Sequence, residues 1–91
     1  MQLPKKLQIK VTQQHIEGGI AQSDEYCPIA LVVKELLGGD NYVEVDGDQI
    51  IINDVAVYDL PDNAREFIRA FDNDEAVQPF EFETGECVVA G

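Results

Sequence analysis

Two stretches of this chain repeat their apolar residues at the helical period, and each stripe needs a surface to bury against. Ile29, Val32, Val33, Leu36 and Leu37 fall at i, i+3, i+4, i+7 and i+8, and Ala64, Phe67, Ile68 and Phe71 at i, i+3, i+4 and i+7. The other apolar residues alternate with polar ones. Leu7-Gln8-Ile9-Lys10-Val11-Thr12, Tyr42-Val43-Glu44-Val45 and Phe80-Glu81-Phe82-Glu83 all read as half-buried strands, and Gln49–Ile52 as a more apolar one. Two amphipathic helices and several half-buried strands in 91 residues leave room for one domain over residues 1–91 with one shared core. The expected class is α+β, a two-layer sandwich in which a mostly antiparallel sheet of four to five strands carries both helices on one face.

The punctuation between the stripes sets the order. Pro28 suits a first helical position, where a missing N–H is harmless, and Gly38 supplies a left-handed end. Pro61-Asp62-Asn63 opens the second helix and Asp72-Asn73-Asp74 closes it. Gln13–Gln22 has no period, and Gly18-Gly19 marks it as a loop; Ser23-Asp24-Glu25 reads as a preliminary turn before the helix. Asp46-Gly47 signals a type I′ hairpin. Asn53-Asp54 is either a second tight turn, with Val55–Tyr58 as a further strand, or a bulge in one long strand over 49–58. Gly85–Gly91 is a tail, flexible or packed. The resulting order, β-α-β-β-(β)-α-β, resembles the ferredoxin-like split βαβ arrangement or a close variant of it.

Charge narrows the function classes. The formal net charge is −12, but residues 1–34 carry +1 and residues 35–91 carry −13. A pI near 4.1 excludes direct binding to a nucleic-acid backbone, which requires a basic footprint. No apolar run approaches a membrane span, and the first ten residues hold Lys5, Lys6 and Lys10 with no apolar signal core, so the expected compartment is the cytoplasm. If Leu7, Val43 and Phe80 face inward, the open sheet face shows Gln8, Lys10, Thr12, Tyr42, Glu44, Asp46, Asp48, Glu81 and Glu83. Ile51 joins them, because three consecutive isoleucines cannot all face one side. Asp72, Asp74 and Glu75 add an acidic helix end. Alternate residues on a strand lie roughly 6.5–7 Å apart, and two phosphate steps on one DNA strand rise about 6.8 Å. An acidic strand face can therefore imitate a phosphate backbone toward a basic protein groove, or its carboxylates are simply solvated. Solubility alone asks for a net charge of only about 2–8 in a small domain, and the excess self-repulsion costs stability.

Other chemistry is thin. Cys27 precedes a helix start, where a thiolate is favoured, and His15 is the one candidate base; the competing reading is a small buried hydrophobe. A Cys27–Cys87 disulfide is conceivable but not indicated, and two cysteines fit a reducing compartment. No Cys-x-x-Cys or His pair provides a metal site, and no cofactor motif is present. Asp40, Asp46 and Asp48 form a weak cation cluster or, more simply, hairpin turn chemistry. Paired carboxylates abound, but a small two-layer domain seldom offers the cleft an enzyme needs.

His15-Ile16-Glu17-Gly18, Cys27-Pro28-Ile29-Ala30-Leu31, Tyr58-Asp59-Leu60-Pro61, Phe67-Ile68 and Phe80-Glu81-Phe82 together resemble a group of small uncharacterised proteins from bacteriophages and bacterial mobile elements, over roughly residues 15–83. The resemblance implies a small intracellular accessory protein and carries no assigned activity. Small acidic phage proteins are similar, as a class, to inhibitors of host nucleic-acid machinery, anti-CRISPR proteins among them. The expected function is thus a non-enzymatic binder of a basic protein such as a host nuclease. The alternatives are a homo-oligomeric assembly module using the Tyr42/Ile51 face, and a small thiol-dependent enzyme using Cys27 and His15.

Overall fold

The computed structural model describes residues 3–89. β1 (Gln8–Val11) forms from the leading alternation, with Ile9 and Val11 buried and Gln8 and Lys10 exposed. Gln13–Gln22 is not the loop its composition suggests, because Gln13–Gly18 forms a short helix, α1. A capping box creates it. The Thr12 hydroxyl accepts the His15 N–H, and His15 Nδ1 accepts the Thr12 N–H at 3.0 Å. Gly19 then lets the chain pass against Pro28, whose ring a Cβ at position 19 would meet at 2.7 Å.

α2 (Pro28–Leu37) has Pro28 at its start and ends at Gly38, which takes φ +64°. Its buried stripe is Ile29, Val32 and Val33; Leu37 is half-buried, and Leu36, expected on the same stripe, is 55% exposed. α2 packs against α1, β1 and β2 (Val43–Val45).

β2, β3 (Gln49–Ile52) and β4 (Ala56–Asp59) form an antiparallel meander, so residues 49–58 hold two strands rather than one bulged strand. The two hairpins exchange the turn chemistry expected of them. Asn53 and Asp54 both take positive φ (54° and 59°), and Val55 N–H reaches back to the Ile52 carbonyl, which is the backbone pattern of a type I′ turn. Asp46 and Gly47 do not take positive φ. Instead the Asp46 carboxylate accepts the N–H groups of Asp48 and Gln49, each at 2.8 Å, closing an Asx turn.

α3 (Asp62–Asp72) buries Ala64, Phe67 and Ile68 and leaves Phe71 half-buried. Phe67 stacks on Phe80 of β5 (Phe80–Glu83) at 4.7 Å, and Phe80 stacks on Phe82 at 5.4 Å. Of the two Phe expected inward, Phe82 is buried and Phe80 half-buried.

The class is α+β, but the strands do not share one sheet. Among the described residues β1 pairs with β5 alone, and the meander forms a second sheet with β6 (Val88–Val89) in the order β2-β3-β4-β6. Among the described residues, the ladder that would join β1 to the meander in a ferredoxin-like sheet is absent. The segment read as a tail connects the two sheets. Thr84 N–H bonds the Leu7 carbonyl and Cys87 N–H the Lys5 carbonyl, extending the β1 side, while Gly85 N–H bonds the Asp59 carbonyl and β6 pairs with β4. Residues 90 and 91 of that tail lie outside the described residues. α2 lies over both sheets, and the core between them is built from Ile9, Val11, Ile29, Val33, Val43, Ile50, Ile52 and Tyr58, none more than 1% exposed.

The crossing depends on one buried polar side chain. The Thr84 hydroxyl accepts the Leu7 N–H at 2.9 Å and donates to the Gly85 carbonyl. Thr84→Val keeps the shape and strands the Leu7 donor, so it should lower unfolding free energy by about 1–3 kcal/mol, whereas Thr84→Ser should cost less. Urea denaturation reads both, and a Thr84→Val protein as stable as wild type would remove Thr84 from this role.

Candidate functional site

The pleat of β2 divides its side chains between two environments. Val43 and Val45 are buried toward α2, and Glu44 stands on the opposite face, directly across from Ile51. Tyr42, two residues earlier, is exposed near Glu44. β2 is an outer strand of its sheet, and its free edge is met by residues 24–25: Val45 N–H bonds the Asp24 carbonyl at 2.8 Å. The same turn brings Glu25 beside the Tyr42 hydroxyl, and the 53–54 turn brings in Asp54.

Four carboxylates, Asp24, Glu25, Asp46 and Asp54, thus gather around a fifth, Glu44, at this edge, and Glu25, Glu44 and Asp54 also lie near Tyr42. None of the five is in an ion pair among the described residues. The cation nearest in the chain, Lys34, sits over the Tyr26 ring at 4.2 Å and donates to the Glu25 backbone carbonyl rather than to a carboxylate. Partial desolvation against the sheet, then Asp54, Asp24, Glu25 and Asp46 in turn, push the Glu44 carboxyl above its ordinary value. The Glu25 carboxylate and partial desolvation push the Tyr42 hydroxyl upward, with Glu44 and Asp54 adding to the effect.

The other acids expected on this face go elsewhere. Glu81 and Glu83 lie on β5, in the other sheet, where Glu81 is directly opposite Lys10 and Glu83 lies 3.8 Å from Lys6. Asp48 is 3.8 Å from Arg65. Glu75 pairs with Arg69 at 3.2 Å, Asp72 accepts the Gln22 N–H at 2.8 Å, and Asp74 is exposed at the α3 end with φ 58°. Of the nine acidic-face residues inferred from sequence, Tyr42, Glu44 and Asp46 belong to the unpaired edge; Asp24, Glu25 and Asp54, which complete it, carry only turn or bulge signals in the sequence.

Cys27 is the N-cap of α2, and its sulfur accepts the Ala30 N–H at 3.4 Å. The helix terminus favours the thiolate, but burial outweighs it and pushes the thiol up, and Asp72 and Asp24 add to the rise. His15 is held elsewhere: Nδ1 faces Thr12, and Nε2 bonds the Glu35 carboxylate. Both ring nitrogens are occupied by the cap and the α1–α2 contact, and no hydrogen bond joins His15 to Cys27 among the described residues. Cys27 and Cys87 are both free thiols. Cys87 lies beside Tyr58, whose hydroxyl donates to the Pro4 carbonyl at 2.6 Å and is pushed up to about 12 by burial and by that sulfur. Among the described residues no three His, Cys, Asp or Glu side chains are arranged to hold a metal ion, and Asp46 of the aspartate cluster at 40–48 is committed to its turn. Among the described residues no helix is long and apolar enough to cross a membrane.

A carboxyl whose native pKa is raised contributes stability that is present below its unfolded value, 4.5, and is lost as pH rises through the native value. At pH 7 the Glu44 charge therefore opposes folding. Glu44→Gln should melt above wild type at pH 7 in low salt, and the difference should shrink in high salt, which screens the neighbouring carboxylates but not the desolvation, and vanish well below pH 4.5. A melting temperature unchanged or lowered at pH 7 would mean that the edge carboxylates do not repel one another. No family model, curated protein or solved structure matches the chain.

Proposed function

We propose that this chain is a non-enzymatic binding protein whose acidic β2 edge occupies a basic groove on a nucleic-acid-handling protein of a bacterial host, in the manner of a phage-encoded inhibitor. The observation that carries the reading is the gathering of Asp24, Glu25, Asp46 and Asp54 around Glu44 with no ion pair among them, while Glu83, Asp48 and Glu75 each pair with Lys or Arg. Carboxylates clustered around Glu44 without an ion pair give up stability there, and a cationic partner recovers it on binding. The buried, capped Cys27 and the doubly engaged His15 favour binding over thiol catalysis.

The test compares wild type with Asp24→Lys/Glu44→Lys/Asp54→Asn, which leaves the Asp46 turn intact and respects the positive φ at 54. Immobilised wild type, exposed to bacterial lysate, should retain a basic protein that is released by rising salt and by added duplex DNA. The triple variant, with its melting temperature checked, should retain at least tenfold less. Equal retention by both, or retention indifferent to DNA, would overturn the proposal.

A further inference from the structure

The face of the meander opposite α2 is not uniformly polar. Cross-strand register places Glu44, Ile51, Val57 and Val88 in one row across β2, β3, β4 and β6. Ile51 and Val57 are half-exposed and do not pack on the core, and Val88 is 63% exposed. Three aliphatic side chains therefore lie side by side on an uncovered sheet face and end at the carboxylates of Glu44 and Asp54. Strands lie about 4.8 Å apart, so the aliphatic part of the row spans about 10 Å. A helix carries residues i and i+7 about 10.5 Å apart on one side.

Building on the binding role above, we infer that this face receives an amphipathic cationic helix of the partner, its apolar residues at i, i+3 or i+4 and i+7 on Val88, Val57 and Ile51, and a Lys or Arg one turn further on over Glu44 and Asp54. Charge selects this occupant. A second copy of the chain brings −12 of its own to a face whose edge carboxylates are in no ion pair among the described residues. A helix with an apolar stripe and a basic end complements both halves of the row.

The probes are two synthetic peptides of equal positive charge, one with Leu at helical spacing among Lys residues, the other with each Leu replaced by Gln. Each is titrated into the full-length protein, with amide shifts followed by NMR at low and moderate salt. The Leu peptide should bind at least tenfold tighter, with shifts centred on Glu44, Ile51, Val57 and Val88. Ile51→Thr and Val57→Thr, which keep β-branched residues in the strands, should each bring its affinity down toward that of the Gln peptide. Equal affinities with shifts at the acidic edge would overturn the helix inference and leave the electrostatic reading standing. Shifts centred on the α3 end, or the absence of salt-sensitive binding by either peptide, would overturn both. Concentration-dependent shifts of this face without peptide would assign it to a second copy and overturn the inference.

Discussion

The two-residue period of the β2–β3–β4 meander assigns each of its side chains to one of two opposite environments, and most of the molecule follows from that division. Val43, Val45, Ile50, Ile52, Ala56 and Tyr58 are the inward set, and none is more than 3% exposed. Each full aliphatic burial there is worth about 1.5–3 kcal/mol, so a one-residue slip would forfeit several such contributions at once. Register is therefore fixed by the core, and the outward set has no freedom to avoid its position. Glu44 must stand beside the carboxylates that the two flanking turns deliver, and Ile51 and Val57 must face away from the core. The acidic edge and the aliphatic row are consequences of one pleat.

A second constraint holds the two sheets as one body. The C-terminal strand pairs with β1 through Glu83, turns at Thr84, and pairs with β4 from Val88. Thr84 is buried at this crossing and the polar groups around it are paired: its hydroxyl takes the Leu7 donor, and the Gly85 N–H reaches the Asp59 carbonyl. α2 covers the division from one side with Ile29 and Val33. The −13 carried by residues 35–91 is thus spread over a folded frame that compensates some of it, at Lys6–Glu83, Arg65–Asp48 and Arg69–Glu75, and leaves Glu44, Asp46 and Asp54 in no ion pair at the β2 edge.

Elements with a strong period were legible in the sequence. β1, α2, β2, β3, α3 and β5 all form where the alternation or the helical stripe places them, because burial of one face determines both. α1 was not legible, since its six residues bury none of their own side chains and depend on a cap in which His15 takes the place usually held by Glu or Gln. The division into two sheets was also hidden. Period reports which face a residue takes but not which strand lies beside it, and a single face joins Glu81 and Glu83 to Glu44 only across a ladder that is absent among the described residues. At the site, Tyr42, Glu44 and Asp46 follow from parity along a single strand. Asp24 and Glu25 arrive through a backbone bond to Val45 about twenty residues away, and Asp54 through a turn whose geometry the sequence left open. The charge asymmetry signalled an acidic site, but only tertiary contacts select its members.

The most direct measurement is the NMR titration of the Glu44 side-chain carboxyl in the intact protein. Clustered, unpaired carboxylates predict a midpoint above 4.5 that falls when Asp54 is replaced by Asn and falls again as salt is added. A Glu44 that titrates at or below its ordinary value, unmoved by Asp54→Asn, would show that the edge is not a concentrated negative site and would contradict the account.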